Sequence, residues 1–348
     1  MAAFCKKKGL VYPSSELYGG LAGFFDYGPY GSTLKRNIKD AWWKFHVDDR
    51  QDIVGIDASI MSPEAVWRAS GHLASFADLM LESTKGGYKY RADKLIEEVL
   101  GLKVEGKPAA EIDRIVKEHG LVCPRTKAPF KPARAFSQML PVQVEEGRPP
   151  AYLRGETAQM IFTNFRLVQE HARLALPFGI AQVGKAFRNE ISPRNFLFRM
   201  REFEQMEIEY FIHPSARDCP FLSEVGGLSL NVCSAAMQER GEEQRSFSVE
   251  ELLKGRVMIP WHVYWLALEV SWFVGLGVRP ENLRVRQHLA DEKSHYSSDT
   301  WDLEYRFPFG WQELEGIANR TDYDLRQHMD ASGQDLRLFD EETKEKFL

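Results

Sequence analysis

Gly179-Ile-Ala-Gln-Val-Gly-Lys-Ala-Phe-Arg-Asn-Glu-Ile-Ser-Pro-Arg-Asn-Phe-Leu-Phe-Arg-Met-Arg-Glu-Phe-Glu-Gln-Met-Glu-Ile-Glu-Tyr-Phe211 reads as two strands, 179–190 and 201–211, joined by a ten-residue loop. This is an antiparallel hairpin with a long tip. Alternate residues of a strand share a face, so Arg188 and Glu190 are expected to point the same way, about 7 Å apart. On the return strand Arg201, Phe203, Gln205, Glu207 and Glu209 fall on one face and Met206, Ile208 and Tyr210 on the other. A merely solvated sheet carries mixed charges without an aromatic set among them, so the polar face is a candidate ligand surface.

Outward from the hairpin, residues 156–172 read as a helix. Near the N-terminus a Gly- and aromatic-rich opening, residues 18–31, gives turns and close backbone approaches. Ser32 is a candidate N-cap for a helix whose Leu34, Ile38, Ala41, Trp42 and Phe45 recur at helical spacing and require one buried face. A short β-rich run follows at 53–60. Residues 92–150 change character, with helical patterns at 94–100 and 111–118 before a Pro- and Lys-rich stretch, and read as an insertion. A second atypical segment, 214–258, rich in Gly, Ser, Glu and Arg, reads as a peripheral second insertion. Trp261, Trp265, Leu268 and Trp272 predict a core-packed helix over 261–274. Strands at 303–307 and 311–318 and a short helix at 322–328 close the pattern.

The 348 residues, 44% hydrophobic, suffice for one large α/β domain with insertions or for two ordinary domains. A net charge of −5 excludes a uniformly basic nucleic-acid-coating protein while permitting a local basic face. Cys5, Cys123, Cys219 and Cys233 form no CxxC pair, so neither a zinc site nor a disulfide framework is expected. With no apolar run of membrane-spanning length and no signal-peptide core after the first residues, the expectation is a cytoplasmic protein without a membrane partner.

The hairpin stretch resembles motif 2 of the glycyl-tRNA synthetases, class II aminoacyl-tRNA synthetases of the bacterial homodimeric type, almost throughout. Tyr12-Pro-Ser-Ser-Glu-Leu-Tyr-Gly-Gly20, Asp26-Tyr-Gly-Pro29 with Trp42-Trp43, and Ser70-Gly-His-Leu-Ala-Ser-Phe-Ala-Asp78 are similar to the family's motif 1 region. Tyr152-Leu-Arg-Gly-Glu-Thr-Ala-Gln159 and Glu313-Leu-Glu-Gly-Ile-Ala-Asn-Arg-Thr-Asp-Tyr-Asp-Leu325 extend the likeness over most of the chain outside the insertions. The resemblance implies an α/β fold with an antiparallel sheet flanked by helices. It implies ATP-dependent activation of glycine to glycyl-adenylate and transfer to tRNA(Gly), with ATP as substrate and Mg²⁺ as cofactor, and a homodimer formed through residues 34–60. Such chemistry rests on positioning and electrostatics rather than on a protein nucleophile.

Position by position, the resemblance implies that Arg188 holds the α-phosphate, that Glu190 accepts from the adenine amino group and that Phe203 stacks on the ring. Asn189, Phe198, Arg199, Met200, Arg201 and Glu202 complete the ATP contacts, and Arg194 and Arg199 either contact ATP or the tRNA acceptor end or stay as solvated loop arginines. Glu313 and Leu314 match the ATP-contacting strand, with Glu313 the Mg²⁺-linked carboxylate. Arg320 assists there or pairs with Asp322 or Asp324. Arg91, Glu156 and the run Phe203, Glu204, Gln205, Met206, Glu207 line the glycine pocket, where Glu156 and Glu207 read the ammonium. His72 and His295 are read as packing histidines.

The chain departs from the family pattern at Gly155, where proline is usual, at Met160, where glycine is usual, and at Leu79, where proline is expected. Residues 341–348 resemble the stretch before motif 3, so the expectation is a catalytic domain spanning 1–348 that lacks motif 3 and the anticodon-binding domain and is weakly active or inactive. The alternative is a non-catalytic paralogue serving as a nucleic-acid-binding or accessory subunit.

Overall fold

The computed structural model describes residues 1–104, 106–193, 195–294, 296–340 and 343–348. Arg194, His295 and the first two residues of segment 341–348 lie outside the described residues. The fold is mixed α/β with several antiparallel sheets. Two compact units form, Met1–Tyr210 with Gln327–Gln334, and Phe211–Arg326 with Asp335–Leu348.

In the first unit β1 (Val11–Pro13) and β2 (Phe25–Tyr27) pair antiparallel and lead into α1 (Pro29–Trp43). The helix begins three residues before the expected cap. Pro29 occupies its first turn, where a missing N–H costs nothing, and the Ser32 hydroxyl instead donates to the Pro29 carbonyl at 3.0 Å. The expected buried face is also corrected. Trp42 and Gly31 are buried, whereas Leu34 is 55% and Ile38 37% exposed. The face that packs on the chain is the one on which glycine lets the Leu10 carbonyl approach, since a Cβ on Gly31 would overlap that oxygen.

β3 (Ile53–Ile56) runs parallel to β10 (Phe178–Phe187), and β11 (Glu202–Phe211) flanks β10 on its other side. Phe178, Gly179, Ile180, Ala181 and Gln182 are all buried, as a strand covered on both faces requires. Arg50 holds Asp52 with two hydrogen bonds of 2.9 and 2.7 Å, and the Tyr210 hydroxyl donates to Asp52 at 2.6 Å. Burial pushes the Asp52 carboxyl up, but these three bonds outweigh it and hold the group below the usual carboxylate range.

Between these elements lie β4 (Met61–Pro63), β5 (Ala77–Glu82), β6 (Lys89–Arg91), α2 (Ala92–Leu100), α3 (Ala109–Glu118), β7 (Arg134–Ser137), β8 (Leu140–Val142), β9 (Ala151–Leu153) and α4 (Ala158–Ala172). Both helices expected in 92–150 are present. Their Leu95, Ile96, Ile112 and Ile115 pack with Leu81 and Leu121 into a core of their own. The strands of that segment nonetheless pair outside it, β7 with β5 and β8 with β9.

The second unit holds a sheet ordered β13 (Arg245–Ser248), β12 (Ser229–Cys233), β14 (Leu283–Gln287), β15 (Asp299–Phe307), β16 (Gly310–Asn319). All its pairings are antiparallel except β12 with β14. Residues 214–258 are therefore not peripheral: they supply β12 and β13, and Leu230, Val232, Met237, Val249 and Leu252 are buried. The polar composition that suggested otherwise belongs to their turns. α5 (Pro260–Gly275) is buried over most of its circumference, including Trp261, Tyr264, Ala267 and Trp272. α6 (Tyr323–Ser332) follows β16. Among the described residues no helix is long and apolar enough to cross a membrane.

Candidate active site

β10 stops at Phe187, so Arg188 and Glu190 lie beyond it and strand alternation does not orient them. The Arg188 N–H donates to the Arg201 carbonyl at 2.9 Å and the Glu190 N–H to the Arg188 carbonyl at 2.8 Å, which turns the chain between the two side chains. Arg188 Nε donates to the Gly155 carbonyl at 3.1 Å. Its guanidinium carbon lies 5.4 Å from the Phe76 ring centre and 5.3 Å from that of Phe203, and among the described residues its terminal nitrogens have no protein partner. A flat cation steadied by two rings and one carbonyl presents its remaining fork outward.

Glu190, 6% exposed, is engaged differently. Its carboxylate pairs with Arg199 Nε at 2.9 Å, and its carbonyl accepts from Arg201 Nε and Nη2 at 3.0 and 2.7 Å. Burial pulls the Arg201 pKa down, against the pull of Glu190, and Arg201 also reaches the Ala22 carbonyl at 3.1 Å. Glu190, Arg199 and Arg91 line a cavity of about 270 Å³ that has neither Arg188 nor Phe203 in its wall. The structure sets Arg188 against Phe203 and engages the Glu190 carboxylate with Arg199, which corrects the expectation that strand alternation alone puts Arg188 and Glu190 on one face. Arg91 is taken by Asp93 at 2.8 Å and Asp78 at 3.3 Å. The Asn189 N–H donates to the Gln138 carbonyl at 2.8 Å, Phe198 is 40% exposed, Met200 is half-buried, and Glu202 pairs with Lys185.

Along β11 the expected alternation holds. Gln205 Oε1 accepts from the Thr157 N–H at 3.2 Å and Glu207 accepts from the Thr157 hydroxyl, so both reach the loop that carries Glu156. Glu204 belongs to the opposite face, bound by Lys35 at 3.1 Å and Lys39 at 3.2 Å, and Met206 shares its parity. Burial raises the Glu204 carboxyl, but the two lysines prevail and lower it. Neither residue joins Gln205 and Glu207.

The loop itself is anchored by Arg154, 1% exposed. Its Nε donates to the Lys185 carbonyl at 2.7 Å and its Nη1 to the Ala58 carbonyl at 3.0 Å. Glu156 meets Gln159 Nε2 at 3.0 Å and His72 Nε2 at 3.4 Å. Met160 is buried with Trp67 and Met139 and accepts the Ser62 hydroxyl at 3.0 Å, while a Cβ on Gly155 would lie 3.2 Å from Phe76. Thr157 and Phe76 were missed in the sequence as participants. Both stand inside the quoted motif stretches, beside Glu156 and four residues after His72, where adjacency was their one available signal.

In the second unit the register shift between Leu303 and Glu304 leaves Leu314 of β16 as the extra residue and places Glu313 opposite Glu304. Arg284 holds Glu304 at 2.5 Å, and Arg320 forms the ion pair with Asp324 that is one of its two expected roles, at 2.8 and 3.0 Å. His288 donates toward Asp302 at 2.8 Å, and that bond raises its pKa. Leu314 is 38% exposed. A Cβ on Gly316 would meet Glu313 Oε1 at 3.2 Å and Asp302 Oδ1 at 3.6 Å, so two carboxylate oxygens border one small space. Among the described residues no three His, Cys, Asp or Glu groups are arranged to enclose a metal. Mg²⁺ bound with a nucleotide takes one or two carboxylates and fills the rest with phosphate and water.

No family model matches the chain. Among curated proteins, it is 43% identical to the glycine–tRNA ligase of Geobacillus kaustophilus (strain HTA426), covering all of this chain and 69% of that protein. It is 42% identical to the glycine–tRNA ligase of Caldanaerobacter subterraneus subsp. tengcongensis, covering 68% of it. It is 41% identical to that of Staphylococcus aureus (strain JH9), covering 69%.

Proposed function

The chain belongs to the glycine–tRNA ligase family, and from that membership we propose how its residues divide the work. It is an ATP-dependent ligase that activates glycine and joins it to tRNA(Gly). The accessory-subunit alternative is not favoured by the relatives named above, which carry the ligase name.

The observation that carries the assignment of roles is Arg188, steadied between Phe76 and Phe203 with its terminal nitrogens lacking a protein partner among the described residues. Two parallel N–H donors suit the α-phosphate, where charge builds as the glycine carboxylate attacks. Phe203 offers a ring for the adenine. Glu190 takes the adenine amino group once Arg199 releases it, and Asn189, Phe198, Met200, Arg201 and Glu202 support the loop that makes this exchange. Glu156 and Glu207 receive the glycine ammonium, with Gln205 beside them. Arg91 is assigned to the wall of the glycine pocket, held by its two aspartates. Glu204 and Met206 leave the set, because their face of β11 is the one on which Lys35 and Lys39 bind Glu204.

Glu313 and Asp302 would hold Mg²⁺, with Leu314 as the strand neighbour, and the ion supplies charge neutralisation on phosphate oxygens. Rejection of alanine needs a rigid wall, since one methyl in a soft apolar pocket discriminates by only about 1–3 kcal/mol. The scatter of Cys5, Cys123, Cys219 and Cys233 without a CxxC pair favours a reducing, cytoplasmic setting.

The direct test is ATP–pyrophosphate exchange with single amino acids. Exchange stimulated by glycine, with alanine weaker by at least about tenfold, is expected. Equal or better stimulation by another amino acid would defeat the specificity assignment.

A homodimer through residues 34–60 is proposed as well. Tyr30, Leu34 and Ile38, spaced by four residues along α1, are 72%, 55% and 37% exposed, an apolar stripe that a second copy would cover. Light scattering at micromolar concentration is expected to give twice the 40.0 kDa chain mass, and Leu34→Glu to give the monomer. A monomeric parent chain contradicts it.

A further inference from the structure

The Glu156 carboxylate is held from both sides. Oε1 accepts from Gln159 Nε2 at 3.0 Å, and Gln159 Oε1 lies 2.8 Å from His328 Nε2. Oε2 lies 3.4 Å from His72 Nε2, and His72 Nδ1 is 2.8 Å from the Ser70 hydroxyl. Gln159, Ser70 and His328 are 0%, 4% and 6% exposed. Buried polar side chains are costly unless every member of the network is paired, and a paired network fixes one arrangement. The aromatic surroundings add a second connection. The His72 ring meets Trp67 edge-on at 5.2 Å and Phe76 at 5.3 Å, and Phe76 is the ring against Arg188.

We propose that His72, backed by Ser70, is a positioning residue for glycine: with Gln159 and His328 it locks the Glu156 carboxylate in the orientation that receives the substrate ammonium. The sequence reading of His72 as a packing histidine captures its neighbours Trp67 and Phe76 but not its carboxylate partner. Glycine offers no side chain, so its recognition depends on the direction of hydrogen bonds to the ammonium, and a carboxylate free to rotate loses that direction.

The inference rests on the reading that Glu156 meets glycine, and the experiment separates the two. Glycine Kd is measured by calorimetry on the full chain with a non-hydrolysable ATP analogue present, alongside the Kd of the analogue itself. His72→Ala is expected to weaken glycine by about fivefold or more, as loss of a polar contact beside a charged group does. The analogue Kd is expected to stay within about twofold, since the substitution removes no phosphate contact. His72→Gln, which retains an N–H near the Nε2 position, is expected to restore most of the affinity. Ser70→Ala, a small truncation that leaves the imidazole in place, is expected to weaken glycine by a few-fold and covers the case in which His72→Ala does not fold. Glu156→Gln is the control for the underlying reading. If it leaves the glycine Kd unchanged, or the parent chain binds no glycine, that reading fails and the inference with it. If Glu156→Gln weakens glycine but neither His72→Ala nor Ser70→Ala does, the positioning role alone is overturned. Equal weakening of glycine and analogue, without rescue by His72→Gln, also overturns it in favour of a packing role.

Discussion

Arg188→Ala is expected to lower glycine-dependent ATP–pyrophosphate exchange by about a thousandfold, within the range seen when a phosphate-stabilising arginine is removed from a phosphoryl-transfer site. The expectation follows from what the side chain does not touch. Its Nε is spent on the Gly155 carbonyl and its plane is flanked by Phe76 and Phe203, so the protein invests three contacts in holding a cation whose outer fork bonds nothing among the described residues. Preorganised charge of this kind acts at full strength as charge develops, because nothing must reorient. Arg188→Lys should be nearly as damaged, since an ammonium cannot meet paired oxygens in a plane or keep the contact with both rings. The variant should fold like the parent, because the guanidinium makes one hydrogen bond. Binding of a non-hydrolysable glycyl-adenylate analogue provides an independent reading and should weaken in parallel. Exchange within threefold of the parent would remove Arg188 from the reaction.

Arg154→Ala acts on stability instead and is expected to cost about 4 kcal/mol, read as a lower urea midpoint at unchanged slope. Arg154 donates to the carbonyls of Lys185 and Ala58 from a site only 1% exposed, so truncation strands buried acceptors and opens a void. Burial lowers the guanidinium's pKa, opposed by Asp57 and Glu207, yet an arginine stays charged and the loss is that of a buried, bonded cation. Gly184→Ala should lose stability for the complementary reason. Its Cβ would overlap the Arg154 guanidinium, so the absence of a side chain at 184 is what admits the arginine. A midpoint shift below about 1 kcal/mol for Arg154→Ala would mean that the loop carrying Glu156 is anchored by other contacts.

Much of the secondary structure was legible because its signals are local. The helix over 261–274, the two helices within 92–150, and the strands on either side of the long loop all follow from periodicity that neighbouring residues display. The errors have equally local origins. Ser32 is a good capping residue, but Pro29 starts the helix earlier, and the polar turns of 214–258 mask strands whose Leu230 and Val232 enter a sheet core. The face of α1 that packs could not be chosen from Leu34 and Ile38 alone, because the choice depends on a glycine accepting the distant Leu10 carbonyl.

Sequence by itself determined the family, through long runs of identical residue types in fixed order, and with it the chemistry of activating glycine with ATP. It also determined the parity of β11, which separates Gln205 and Glu207 from Glu204, since a strand's alternation is a property of its own backbone. Tertiary structure decided which of those groups meet. That Phe76 faces Arg188, that Arg199 covers Glu190, and that His72 and Gln159 hold Glu156 are contacts between segments whose approach is set by packing of the intervening chain, and no spacing along the sequence encodes such a distance.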